Sequence, residues 1–208
     1  MRRALLYLGA VVVGALLGLG SALWGAGLWP QRGTMAFGNI DVGGWRSDFA
    51  IGSEAANPYT RLRVARHGLL ALAKTEAVYF TRTTDDTGAP LSEACRYRLS
   101  VGAMPAGWWS VTLYNSESLL PTNDDRALSV SADQDVVYRI GDKIEGRGIT
   151  ATIAPDRPAG GGLWLSSRNA GTFDLTLRLY MPDEALLADP AAVLDPPKVT
   201  RLSCEGTP

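Results

Sequence analysis

Two short runs carry the side chains best suited to holding a ligand. Phe173 to Tyr180 alternates Phe173, Leu175, Leu177 and Leu179 with Asp174, Thr176, Arg178 and Tyr180. Within Trp108 to Tyr114, Trp109, Val111 and Leu113 alternate with Trp108, Ser110, Thr112 and Tyr114. Successive side chains of a β-strand point to opposite faces, so each run offers one apolar and one polar, aromatic side. If the two strands lie in one sheet with these sides aligned, Trp108, Ser110, Thr112 and Tyr114 share a surface with Thr176, Arg178 and Tyr180. Aromatic planes beside a guanidinium and hydroxyls suit a sugar ring or an acidic glycan, because rings stack and polar groups fix orientation. The competing role is structural: sandwich interiors also bury Trp and Tyr, and Arg178 can bond a neighbouring strand or Glu76.

Other chemistries find little support. Hydrolytic zinc sites use two or three histidines and a Ser-His-Asp triad needs one beside a serine, whereas His67 is the single histidine. The sequence holds no G-x-S-x-G elbow, no H-E-x-x-H helix and no phosphate-binding glycine loop; Gly160 to Gly162 follows a proline turn and reads as a hairpin or loop. No cofactor motif and no metal-ligand set is expected. Asp124 and Asp125, or Asp133 and Asp135, could offer hard oxygens to calcium, but neither pair has the spacing of a known loop and both read as solvated turn acids. A paired-carboxylate glycosidase needs two acids that can meet from distant strands, and spacing names no such pair. A net charge of -1 lacks the basic excess that neutralises phosphates, so nucleic acid is not an expected partner.

The elements that would position these residues begin with an anchor. No charged residue occurs from Ala4 to Trp29, and such a helix is about 39 Å long, enough to cross a hydrocarbon core of roughly 30 Å with tilt. Tyr7 lies near one end and Trp24 and Trp29 near the other, where amphipathic rings favour the headgroup level. A cleaved signal peptide is the competing reading, since Arg2 and Arg3 precede the apolar run; its best cleavage site, Gly20 to Ala22, is followed by more apolar sequence. Arg2 and Arg3 are matched by Arg32 and Arg46, so basic residues leave the orientation open. The short N-terminal tail and the even pair Cys95 and Cys204, suited to a disulfide in an oxidising compartment, favour a single-pass inner-membrane protein with its domain in the periplasm. Ala10, Gly14, Gly18, Ala22 and Ala26 recur every fourth residue and could let a second copy of the helix approach. The expected partners are thus the lipid bilayer, a homodimer through that helix, and an unidentified protein or glycan.

Residues 31–56, rich in glycine, read as a linker and lead-in segment. Asn57 and Pro58 open a helix as N-cap and first helical residue, with Leu62, Ala65, Leu69, Leu72 and Ala73 at helical spacing as its apolar face. Its other side carries Arg63, His67 and Lys74, flanked by Arg61 and Arg66; these could meet anionic headgroups, although a solvated face is the simpler reading. About eight strands follow, at 77–83, 95–101, 108–114, 127–131, 136–140, 149–153, 163–166 and 173–180, separated by turn clusters. Residues 181–189 suit a short helix, and Pro190, Pro196 and Pro197 impose an extended tail that returns Cys204 to the sheet. The fold class is an all-β sandwich, jelly-roll-like, with one amphipathic helix before it (57–204) and a transmembrane helix at the N-terminus (1–30).

The order of Asn57-Pro58-Tyr59, Glu76 to Phe80, Asp85 to Gly88, Trp108 to Tyr114, Asn123 and Leu177 to Pro182 resembles the domain of unknown function 1214, over roughly residues 45–203. The resemblance implies a β-sandwich, an envelope location and a short, membrane-anchored form of the family. It implies no established reaction and hence no catalytic residue. The expected function is a noncatalytic binding or assembly domain for a glycan, lipid headgroup or protein partner; the alternative is a periplasmic hydrolase that uses acidic residues.

Overall fold

The computed structural model describes residues 2–25, 38, 40–66, 72–140 and 143–204. Helix α1 (Arg2–Gly25) is exposed along most of its length. It is long and apolar enough to cross a membrane, a test that a signal sequence near an N-terminus also passes. Ala10, Gly14, Gly18 and Ala22 are exposed along α1, and a Cβ added at Gly14 or Gly18 would meet nothing within 4 Å. Ala26 and Trp29 lie outside the described residues, as do Arg32, His67 and Leu69.

The rest is mostly β, in two sheets that share one core. One sheet holds, side by side, β1 (Ile40–Val42), β2 (Trp45–Ser47), β3 (Ala77–Arg82), β10 (Phe173–Pro182), β5 (Ala106–Asn115) and β6 (Ser129–Ser131). The other runs β11 (Lys198–Cys204), β4 (Cys95–Val101), β8 (Lys143–Ala154), β7 (Val136–Ile140), with β9 (Leu163–Ser166) parallel to β8. Alternation decides which side faces in. Phe80, Val111, Leu113, Leu175, Leu177 and Leu179 from the first sheet join Tyr97, Leu99, Ile153, Leu165 and Val199 from the second in a single buried cluster. A one-residue slip of β10 would drive Asp174, Thr176 and Arg178 into this cluster, so burial of the leucines pins the register.

A polar corner locks the two sheets at the β3–β4 connection. Asp85 accepts from the Thr87 amide and hydroxyl and from the Ala89 amide, and its other oxygen faces Arg201 Nη2 at 2.7 Å. Asp86 holds the buried Arg82 at 3.0 Å and accepts from the Val199 amide and the Thr200 hydroxyl. Arg82 and the Trp45 indole both donate to the Pro197 carbonyl. Strand β11 and the residue before it thus supply partners to groups on β2, on β3 and in the turn. Cys204 stands opposite Cys95 on β4 and is disulfide-bonded to it, 109 residues away in sequence.

Several expectations need correction. Eleven strands are present among the described residues, where about eight were expected. The lead-in segment is not all linker: Gly43 and Gly44, with φ of +59° and +84°, are the two-residue turn of the β1–β2 hairpin, a conformation that L side chains resist. Helix α2 (Pro58–Arg66) starts as expected, with the Thr60 amide bonded to the Asn57 side chain at 2.9 Å. Its inward face, however, is Thr60 and Val64; Leu62 is 48% exposed and Ala65 is also exposed. The nine-residue helix docks on the line continuing Ala56, Thr60 and Val64, four residues apart, and not on the line that Leu62 and Ala65 mark; Leu72 and Ala73 are not helical. Pro190 does not extend the chain but opens a one-turn helix, α4 (Pro190–Val193), after α3 (Glu184–Ala188).

Candidate polar and aromatic sheet face

Strands β5 and β10 pair directly and in the alignment that brings their polar sides together. Tyr180 stands opposite Trp108, Arg178 opposite Ser110, Thr176 opposite Thr112 and Asp174 opposite Tyr114. On the other flank of β10, β3 contributes Ala77, Tyr79 and Thr81 in the same rows. All seven residues expected to share a surface therefore fall on one side of one sheet.

The face has an aromatic end and an acidic end. At the first, the Trp108 and Tyr180 rings lie 5.4 Å apart, tilted by 59°, and the Trp108 indole reaches Asp133 Oδ1 at 3.3 Å. In the middle, the Arg178 guanidinium crosses the Tyr114 ring 5.3 Å from its centre and donates to the Tyr114 hydroxyl at 2.6 Å. Among the described residues, Arg178 makes no salt bridge. A half-buried guanidinium bonded to a phenol keeps its whole charge for an incoming group. Cation over ring is the weaker half of this contact, on the order of 1 kcal/mol.

Asp174 sits at the acidic end and is only 1% exposed. Oδ1 accepts from the Thr176 hydroxyl at 3.3 Å, and that hydroxyl lies 3.4 Å from the Thr81 hydroxyl, so a donor chain runs from Thr81 through Thr176 to the carboxylate. Oδ2 has no hydrogen-bond partner among the described residues. Burial pushes the Asp174 carboxyl up to about 7 against the opposing pull of the Thr176 hydroxyl and Arg178. The Tyr79 hydroxyl is raised as well, by burial and then by Tyr180, with Arg178 opposing.

Position along the strands separates two roles. Trp108, Thr112, Tyr114, Arg178 and Tyr180 are half-buried and reachable, while Ser110 and Thr176 are buried and support the face from below. That corrects the expectation that all seven line it. Asp174 is the residue the alternation missed as a site member. It already fell on the polar side of its strand, but an aspartate at a strand start reads as a turn acid until the sheet closes over it.

Of the other acids singled out in the sequence, Asp125 and Asp133 have side-chain partners. Asp125 accepts from the Ser166 hydroxyl at 2.6 Å and pairs with Arg168 at 3.1 Å, so it is not a solvated turn acid. Asp135 is half-buried and its carboxyl is raised by burial, opposed by the Trp109 indole and Arg147. Among the described residues, no three His, Cys, Asp or Glu side chains gather as a metal site would require.

What these observations define is a two-sheet β protein with an apolar N-terminal helix and one polar, aromatic sheet face. The VPA0106 protein from Vibrio parahaemolyticus has a similar fold, with a TM-score of 0.53 at 19% identity over 70% of this chain and 35% of that one. An uncharacterised protein from Burkholderia cenocepacia gives a TM-score of 0.38 at 16% identity, over 61% of this chain and 29% of that one. The chain thus spans about a third of the length of these two structures. No protein of curated function matches it. Residues 76–184 match the family described as "Protein of unknown function (DUF1214)", and the chain belongs to that family. The matched stretch contains β3, β5 and β10 and so the whole of the face, but neither α2 nor β11.

Proposed function

We propose that this is a single-pass inner-membrane protein, held by α1 with its domain in the periplasm, whose polar and aromatic sheet face is a noncatalytic binding site for a glycan. The observation that carries the reading is the aligned pairing of β5 with β10: it gathers two aromatic planes at Trp108 and Tyr180 and the Arg178 guanidinium, which no carboxylate neutralises among the described residues, within one stripe. Rings of this kind stack on the apolar faces of sugars, and the guanidinium suits a carboxylate or hydroxyl pair on the same ligand. The disulfide supports an oxidising compartment. One core shared by both sheets supports a β-sandwich. The narrower jelly-roll label does not follow from a strand order in which β10 lies between β3 and β5.

The hydrolase reading draws on one observation, the raised carboxyl of Asp174, which would act as a general acid. A glycosidase needs a second carboxylate within roughly 9.5 Å. Two other carboxylates border this face: Asp133, at the Trp108 end and six residues along the strands from Asp174, roughly 20 Å away, and Asp41, exposed on β1 and paired with Arg46 at 3.9 Å. Three strand spacings separate β1 from β10, roughly 14 Å, which is too wide. Binding is therefore the better-supported role.

Isothermal titration of the detergent-solubilised protein with soluble peptidoglycan fragments and anionic oligosaccharides tests it. Binding that Arg178→Ala and Trp108→Ala each weaken at least tenfold, with near-ultraviolet circular dichroism unchanged, is the expected result. Turnover of any of these glycans that Asp174→Asn abolishes would replace the binding reading with the enzymatic one.

A further inference from the structure

Helix α2 turns its leucine and tyrosine outward, and that reversal needs an explanation. Tyr59 is 43% and Leu62 48% exposed, three residues apart and hence on one stripe of the helix. By helical spacing, position 66 falls on that same stripe, four residues after Leu62, and position 63 lies beside it, four after Tyr59. The sequence of α2 contains Arg61, Arg63 and Arg66 and no acidic residue. Arg61 bonds the carbonyls of Ala56 and Glu54 and makes no salt bridge among the described residues, so no carboxylate there neutralises its charge.

The location of this stripe supplies the occupant. Gly25, the final residue of α1, packs so closely on Tyr59 that a Cβ there would stand 2.6 Å from the ring. The end of the apolar helix and the start of α2 are therefore adjacent. An outward tyrosine and leucine on a helix whose sequence holds three arginines and no acid, set where a membrane span emerges, match a helix lying in the headgroup layer, where tyrosine favours the polar boundary and basic sequence favours anionic lipid. Behind it, an open cavity of about 450 Å³ is lined by Ile51, Ala56, Val64, Ala65 and Arg61, an apolar recess with a cation on its wall.

We propose that α2 lies in the surface of the bilayer that α1 spans, as a second membrane contact that fixes the domain against anionic lipid. This rests on the anchor reading of α1, and the test separates the two. The full chain is reconstituted in vesicles of phosphatidylcholine with phosphatidylglycerol, carrying a spin label at one position per sample: V12C in α1, L62C in α2 or D156C on an exposed loop. The expected result is a label at position 62 more accessible to oxygen than to a water-soluble nickel complex, as at position 12 and unlike position 156. Replacing Arg61, Arg63 and Arg66 together by glutamine should move the position 62 label at least halfway towards the aqueous value, and so should pure phosphatidylcholine. A lipid-like label at position 12 with a fully aqueous one at position 62 overturns the proposal while sparing the anchor. An aqueous label at position 12 overturns both.

Discussion

Asp85 and Asp174 are each 1% exposed, yet the protein treats them in opposite ways. Burial alone would raise the Asp85 carboxyl, but the Thr87 hydroxyl and amide, the Ala89 amide and Arg201 outweigh it, and the net shift is downward. Asp174 receives one hydroxyl bond and is pushed up to about 7. Both leave Oδ2 without a hydrogen bond among the described residues, but Asp85 Oδ1 accepts three bonds and its Oδ2 lies 2.7 Å from Arg201 Nη2, whereas Asp174 Oδ2 faces no ion-pair partner there. A buried acid held by several donors and a guanidinium is part of the framework. One with a single hydroxyl bond and no ion pair among the described residues, on the same face as an arginine without a salt bridge, fits the binding role proposed for that face.

Breaking the first acid should have the largest effect. Asp85→Asn removes the ion pair with Arg201 and should cost on the order of 3 kcal/mol, read as a lower urea midpoint at pH 7. The sign follows from the lowered carboxyl: its stabilisation is complete above the ordinary carboxylate range and is lost as pH falls through the folded value, so wild type and variant should converge in acid. Equal midpoints at pH 7 would remove Asp85 from the framework.

Asp174 should show the reverse dependence. Above about pH 4 the unfolded chain ionises this carboxyl while the folded one holds its proton until about 7. Stability is therefore lost between those values, by up to on the order of 4 kcal/mol, and levels off above them. Asp174→Asn should flatten this part of the profile in urea titrations from pH 4 to 8; profiles that run parallel would break the contrast. The smallest effect belongs to the aromatic end. Trp108→Ala gives up a half-buried ring pair and should cost about 1 kcal/mol by thermal unfolding, and a loss of several kcal/mol would move Trp108 from the face to the core.

The sequence made the strand faces legible because burial has a period of two: Leu175, Leu177 and Leu179 predict their own burial and, by exclusion, the side on which Arg178 stands. Register between strands 64 residues apart, such as the Tyr114 and Arg178 contact, is not a local property and needed the fold. The β1–β2 hairpin was hidden because Gly43 and Gly44 serve a tight turn as well as a linker, and only the flanking Ile40 to Val42 and Trp45 to Ser47 distinguish the two. Helix α2 misled for a different reason. Leu62 and Ala65 stand at helical spacing, but which stripe turns inward depends on where the chain before it docks, through Ile51 and Ala56.

Strand β11 carries a consequence for the order of assembly. Until residues 197–204 are available, Asp85 lacks its guanidinium, the Trp45 indole and Arg82 lack a shared carbonyl, and the edge of β4 stands open to other chains. A nascent polypeptide that has already made ten strands is still, by this arrangement, an unfinished object with a charged hole at its corner. Maturation should accordingly be all or nothing: molecules stopped at Asp195 should be digested by protease as fast as unfolded ones, and a protected core in such molecules would show that the corner closes without help from β11.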